Sequence, residues 1–401
     1  MKKLKLVGLF VAIHVLSIAQ IITREDSLNA GLVASNNPTV ISGYGNFKYQ
    51  NNLTLGDAVA NVDRIVLFFG HKFSNKVSFF SEMELEDARV VGGKASGEFS
   101  IEQAFLKFNI DRNNYISTGL FIPRIGIINE NHLPTTYNGN ERPFVETLII
   151  PSTWRELGVS YYGTSKRIAG LNYSLALVNG LSSAGFTNGT GIRDGRFEGG
   201  NASASALATT GALLYYVGNF RMQVSAYYGG SAGINARSAD SLQLNSGIFG
   251  TPVFLSEANV QYNGKRFHAK GLATMINIQD TEKINRAYAN NTPKQLFGSY
   301  LEASYDIYRK DRRFLSVFSR YEYLDMNQKL PENGIYNGTN KQQYVVSGLT
   351  FSPVQGAIIK LDYTYRLTGD RNPELIVLPF PQAIPYYTNQ HLITLGVGYS
   401  F

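Results

Sequence analysis

Glu82, Glu84 and Glu86 stand at every second position of one short segment, and Glu98 and Glu102 lie four apart in the next. In an extended chain, residues two apart share a face, so each set forms part of an acidic row. Carboxylates in a row can hold a cation, move protons or pair with guanidinium groups. Neighbours along one strand are about 7 Å apart, too far to share an ion. Calcium sites usually draw their oxygen ligands from a flexible loop instead. The rows are therefore read as a wall that needs counter-charge, because like carboxylates placed opposite each other repel. Arg124, Arg142 and Arg155, all close to one long connection, are the candidate partners. A planar guanidinium fork matches a carboxylate in geometry. Glu130, His132 and Glu141 lie in the same stretch and complete its ionisable set.

A second group of cations lies far along the chain. Arg221, Lys270, Arg320, Lys360 and Arg366 fall on the polar faces of alternating segments, with His268, Ser316 and Glu322 beside them. Set across an enclosed space from the acidic rows, they would form a basic wall and a transverse field. Catalytic chemistry has little support. None of the five histidines has an HExxH partner, and no GxSxG elbow occurs. Gly43-Tyr44-Gly45 precedes no helix and makes no phosphate cradle. Cysteine is absent, which excludes thiolate metal sites and disulfide scaffolds. The expectation is a non-enzyme with no cofactor.

The segments that carry these residues are strands. Ile359, Leu361, Tyr363, Tyr365 and Leu367 oppose Lys360, Asp362, Thr364 and Arg366. Phe220, Met222, Val224, Ala226 and Tyr228 oppose Arg221, Gln223, Ser225 and Tyr227 in the same way. Period-two segments are expected near 39–49, 63–72, 77–86, 98–109, 115–121, 156–162, 171–179, 212–217, 220–228, 251–262, 266–278, 297–307, 315–323, 344–352, 358–367 and 391–401. Short connections alternate with long ones at 50–62, 87–97, 122–155, 180–211, 229–250, 279–296, 324–343 and 368–390. Short turns at one end and long loops at the other suit a transmembrane β-barrel of about sixteen strands. Fourteen or eighteen also satisfy the pattern. The first polar-apolar slip, where Leu106 and Phe108 follow Glu102 in parity, predicts a β-bulge near Ala104.

Composition agrees. Charged residues are 17%, against about 25% in an average soluble domain, while aromatics reach 12%. Lys2, Lys3 and Lys5 followed by the apolar run Leu6 to Leu16 read as an export signal, with cleavage expected after Ala19. Residues 20–401 then form the barrel. Losing three lysines takes the formal charge from +7 to 7 − 3 = +4. That balance does not suggest nucleic acid and is compatible with anionic solutes or lipid headgroups. Pro123, Pro134, Pro143 and Pro151 make 122–155 rigid and non-strand. The Gly-, Ser-, Ala- and Thr-rich 180–211 is expected to be a mobile external loop.

The segments 126–143 and 149–159, with Glu82-Met83-Glu84-Leu85-Glu86 and Ile101-Glu102-Gln103-Ala104-Phe105 upstream, resemble the phosphate-selective porin O and P family, in its Bacteroidetes-type version. The resemblance spans about residues 77–165. It implies sixteen strands, a third external loop folded into the lumen as a constriction, a homotrimer and passive uptake of anions. Tyr399 and Phe401 resemble the C-terminal signature that the barrel-assembly machinery recognises in the outer membrane of Gram-negative bacteria. Arginine and lysine are scattered rather than laddered, so weak anion preference is expected rather than phosphate specificity. The alternative reading is a structural barrel that scaffolds a larger outer-membrane complex, with the loops docking its partners.

Overall fold

A computed structural model describes residues 38–87, 97–231, 251–288, 290–373 and 387–401. The expected export signal lies outside these residues. Sixteen strands follow one another around a closed antiparallel barrel. They are β1 Thr39–Asn52, β2 Asp57–Lys72, β3 Val77–Glu86, β4 Glu98–Asn109, β5 Asn114–Phe121, β6 Glu156–Thr164, β7 Leu171–Asn179 and β8 Leu207–Val217. The second half comprises β9 Phe220–Gly229, β10 Val253–Asn263, β11 Phe267–Ile278, β12 Gln295–Lys310, β13 Arg313–Lys329, β14 Lys341–Val354, β15 Ala357–Thr368 and β16 Asn389–Ser400. Each of the sixteen expected segments coincides with one of them.

The barrel closes where β1 pairs with β16, from Tyr44 opposite Ser400 to Asn52 opposite Leu392. The Phe401 and Gly43 backbones exchange hydrogen bonds at 2.9 and 3.2 Å and extend that seam. Closure leaves no unpaired edge, which a backbone in hydrocarbon requires.

Alternation sorts the side chains. Leu301, Leu175, Val224, Leu361, Leu395 and Val397 point outward and are exposed. Ser304, Glu302, Gln223, Lys360, Asp362 and Thr394 point inward and are buried. Aromatic residues mark two levels of the outer face. Phe220, Tyr262 and Phe267 cluster near the short turns, whereas Phe297 and Tyr323 pack together near the long loops. On β12, Phe297 and Tyr305 are eight residues apart, about 26 Å along the strand. A strand tilt of about 40° shortens that to about 20 Å, somewhat less than the ~25 Å apolar band of a membrane barrel.

Two connections differ from expectation. Residues 50–62 are not a long loop, because β1 and β2 continue to a four-residue turn, 53–56. The Asn52 side chain accepts the backbone N–H groups of Thr54 and Leu55 at 3.1 Å each and closes it. Above the membrane the polar run of Gln50, Asn51 and Asn52 lacks apolar alternation but still forms ladder bonds. Connection 180–206 is also not a loose external loop. It buries Leu181, Phe186 and Ile192 completely or nearly so, and these anchors outweigh its small polar composition. The bulge occurs two residues before Ala104. Glu82 pairs with Gln103 but Met83 pairs with Ile101, which leaves Glu102 as the extra residue.

The exposed apolar belt generates a prediction. Leu301→Arg places a charge on the outer face near mid-strand and should lower folding stability in lipid by about 2–4 kcal/mol. Denaturant titration in lipid vesicles measures it, and an unchanged midpoint would show that this face does not contact lipid.

Candidate functional site

The connection 122–155 between β5 and β6 lies inside the barrel. Its groups bond to inward residues on strands around the whole circumference. Lys48 on β1 meets Glu141 at 2.6 Å. Gln223 on β9 donates to the Gly126 carbonyl at 3.1 Å. Asn138 donates to Glu302 on β12 at 3.0 Å. The Val145 N–H reaches Glu322 on β13 at 2.9 Å. Asn140 gives its backbone N–H and side-chain amide to Asp362 on β15, at 2.8 and 2.5 Å. Thr135 meets Ser400 on β16 at 3.1 Å.

Local sequence shapes this insert. None of its residues is in a strand, and Val145–Ile149 form one wide helical turn. Gly126 has φ +78°, a left-handed conformation that side chains rarely adopt. It aims the next two N–H groups, of Ile127 and Ile128, at the Glu146 carboxylate, at 2.6 and 2.8 Å. The Tyr300 hydroxyl donates to its other oxygen at 2.6 Å. Gly396 on β16 makes room for the insert, since a Cβ there would collide with the Asn140 side-chain oxygen.

The expected counter-charges are corrected. The wall finds its cation in Arg64, on β2. Its guanidinium lies 3.1 Å from Glu84 and 3.2 Å from Glu86. Glu82 and Glu102 face His132 of the insert at 3.7 and 3.6 Å. Arg124 pairs instead with Glu130, which also pairs with Arg221, so two guanidinium groups share one carboxylate and one positive charge is left over. Arg155 pairs with Glu198 of connection 180–206 at 2.8 Å and donates to Ser100. Arg142 makes no ion pair among the described residues. It is buried, donates to Ser152 at 3.3 Å, and its Nε and Nη2 find no partner there. Glu98 is exposed on the same wall.

The basic wall is likewise mixed rather than cationic. Arg320 is fully buried between Glu302 at 3.0 Å and Glu322 at 2.8 Å. It also donates to the Asn138 and Glu141 carbonyls of the insert. Lys270 pairs with Glu302 at 3.3 Å. Lys360 donates to the Gly139 carbonyl at 2.7 Å and lies 3.9 Å over the Tyr137 ring. Arg366 reaches Gln390 at 3.5 Å. Arg320 and Lys360 dock the insert, because carbonyls in a water-poor interior need donors. Arg64 and Glu302 were legible from inward parity, though neither was singled out. The contribution of Arg193, Arg196 and Glu198 was not, because nothing local shows where that connection returns.

Burial pushes the Glu146 carboxyl up to about 7, although Tyr300 and the two N–H groups oppose that shift. Burial pulls the His132 imidazole down, but the Glu102 and Glu82 carboxylates raise it overall. For Glu198 burial raises the carboxyl, and Arg196 and Arg155 hold it below its ordinary value.

Three adjoining cavities run through the lumen. A vestibule of about 450 Å³ at the long-loop end is lined by Asp63, Glu84, Glu86 and Glu98 and by Arg142, Arg155, Arg193 and Arg196. A second space of about 250 Å³ toward the short turns is lined by Lys270, Glu302 and Arg309, among others. A tight gap of only about 10 Å³ lies between, lined by Asn140, Lys360 and Gly396. Tyr137 lines all three.

A closed sixteen-stranded barrel with a long loop folded inside is a porin-type architecture. Solved structures agree at the level of fold. An OmpF complex with daunomycin from Salmonella typhi matches with TM-score 0.60 and 12% identity, over 91% of this chain and 98% of that one. An anion-selective porin from Comamonas acidovorans matches with TM-score 0.54 and 14% identity, over 90% and 99%. The outer membrane channel DcaP of Acinetobacter baumannii matches with TM-score 0.53 and 13% identity, over 90% and 97%. An uncharacterized protein of Aquifex aeolicus (strain VF5) is 28% identical over 338 residues, covering 80% of this chain and 74% of its own. No family model matches the chain.

Glu146 supplies the prediction. Its ordinary value near 4.5 rises to about 7 in the fold, so the folded state binds more protons between those values. Its contribution to stability is therefore present below about 4.5 and is lost as pH rises through 7. The single tryptophan, Trp154, is buried at the end of the insert and reports on it. Denaturation followed by its emission should be less pH-dependent in Glu146→Gln than in the wild type. Glu146→Ala should cost about 1–3 kcal/mol per donor left unpaired. An identical pH slope in wild type and Glu146→Gln would rule this group out.

Proposed function

We propose that the chain is an outer-membrane channel of a Gram-negative bacterium through which small hydrophilic solutes diffuse passively, with a weak preference for anions. The observation that carries this reading is the run of three cavities joined at Tyr137. Rigid side chains on an inward loop set both the width and the field of such a path. The residues 122–155 then act as the constriction, with Tyr137 as its narrowest element. The anion preference is supported by Arg142, whose guanidinium is buried without an ion pair among the described residues, and by Arg155, Arg193 and Arg196 around it. The opposing carboxylates keep the preference weak. Specific phosphate binding is not part of the proposal, because Arg320, Lys270 and Lys360 are engaged by carboxylates and carbonyls.

Export by removal of residues 1–19, insertion by the barrel-assembly machinery and a homotrimeric assembly complete the reading. Tyr399 and Phe401 support the second step. Their rings stack on the outer face at 6.5 Å, where a membrane-bound factor can reach them.

Planar-bilayer recording tests the channel directly. The expected outcome is stable ion-conducting steps, with a reversal potential in a salt gradient on the anion side for chloride, phosphate and an organic acid. Tyr137→Ala should raise the unit conductance, because it removes the ring common to all three cavities. Arg142→Ala should move the reversal potential toward cations. A folded barrel that never conducts, purified with stoichiometric partner chains, would replace the channel by the scaffold reading.

A further inference from the structure

The bulge at Glu102 and the path of the insert bring together three groups that the channel reading does not use. Glu82 comes from β3, Glu102 from β4 and His132 from the insert, and all three are buried. One potential ligand atom from each lies within 4.8 Å of the others. The His132 Nε2 stands 3.7 Å from Glu82 Oε1 and 3.6 Å from Glu102 Oε2. These separations are too long for hydrogen bonds. Neither ring nitrogen of His132, nor Glu102 Oε1, has a hydrogen-bond partner among the described residues. Burying such groups unbonded is costly.

We propose that Glu82, Glu102 and His132 bind one divalent transition-metal cation of the zinc type, which clamps the insert to the β3–β4 wall. Zinc takes imidazole nitrogen and carboxylate oxygen at about 2.0–2.2 Å, which places tetrahedral ligands about 3.3 Å apart. The two imidazole–carboxylate separations exceed that spacing by only a few tenths of an ångström, and the two carboxylates, within 4.8 Å of each other, would draw together around the ion. A proton on the imidazole cannot bridge both carboxylates at the distances observed, whereas a metal bonded to all three can.

Charge points the same way. Glu82, Glu84 and Glu102 are three buried carboxylates, and Arg64 beside Glu84 supplies one positive charge. A divalent cation adds positive charge beside Glu82 and Glu102, where a neutral imidazole adds none. Outer contacts already orient the ligands, as metal sites require. Gln103 donates to Glu82 Oε2 at 2.8 Å, and the Tyr44 hydroxyl donates to Glu102 Oε2 at 3.2 Å. A small cavity of about 30 Å³ lined by Glu82, Asn129 and His132 adjoins the cluster and leaves room for one water as a fourth ligand. Calcium and magnesium fit poorly, since they favour six or more oxygen ligands.

The test uses the full chain, folded in detergent and stripped with a chelator, and titrates zinc ion alone by calorimetry. Saturable uptake of one zinc per barrel is expected. His132→Ala and the isosteric Glu102→Gln should each abolish the strong site. Gln103→Ala, which removes the hydrogen bond to Glu82, should weaken it about 10- to 100-fold. Cobalt(II) should give visible absorption bands that vanish in His132→Ala. Heat-resistant gel migration and Trp154 emission confirm folding, and Glu102→Gln decides the question if His132→Ala does not fold. Absent saturable uptake, unchanged affinity in the folded variants, or equal affinity for calcium would overturn the proposal. None of these outcomes depends on conductance, so the channel reading stands or falls separately.

Discussion

Pairing of β1 with β16 is the constraint from which the rest of the molecule follows. A sheet that closes on itself has an inside and an outside, and the two-residue period of a strand assigns each side chain to one of them. Outside, the apolar row must meet an apolar solvent. Inside, the carboxylates, amides and cations face a narrow space in which water alone cannot satisfy them. Much of what distinguishes this barrel is how that interior is satisfied.

Its solution is a chain segment rather than solvent. Residues 122–155 carry backbone carbonyls to Arg320 and Lys360, and N–H groups to Glu146, Glu322 and Asp362. Each of these buried charges is matched to an opposite charge, to hydrogen bonds or, for Lys360, to one carbonyl and the Tyr137 ring, as low-dielectric surroundings demand. Breaking one partner leaves the other stranded, so the insert is held cooperatively. Arg142 is the conspicuous departure, a buried guanidinium facing the vestibule with most of its donors unused among the described residues.

Much of the fold was legible because strand period and connection length are local properties. All sixteen strands lie where alternation placed them, and the parity slip after Glu102 announced the bulge. Errors fell where local pattern stops constraining the backbone. Polar composition was not enough to end β1, since Gln50, Asn51 and Asn52 continue the ladder without an apolar face. Connection 180–206 looked loose by composition, yet Phe186 and Ile192 anchor it. The acidic rows were placed correctly on the inner face, but their partners were not. The spacing of carboxylates along one strand argued against a shared ion, and that argument does not reach across strands, where Glu82 and the bulged Glu102 meet.

The sequence alone determined what depends on neighbours in the chain. It specified strand period, the inward or outward direction of each side chain, the rigid proline-rich character of 122–155, and the polar nature of the lumen. Only the tertiary structure decided which charge faces which. Arg64 rather than Arg142 meets Glu84, and His132 rather than an arginine meets Glu82 and Glu102. The physical reason is that pairing inside a barrel is set by the stagger of sixteen strands and the path of a folded loop. Both are sums over long-range contacts, and no residue's neighbours in sequence carry that information.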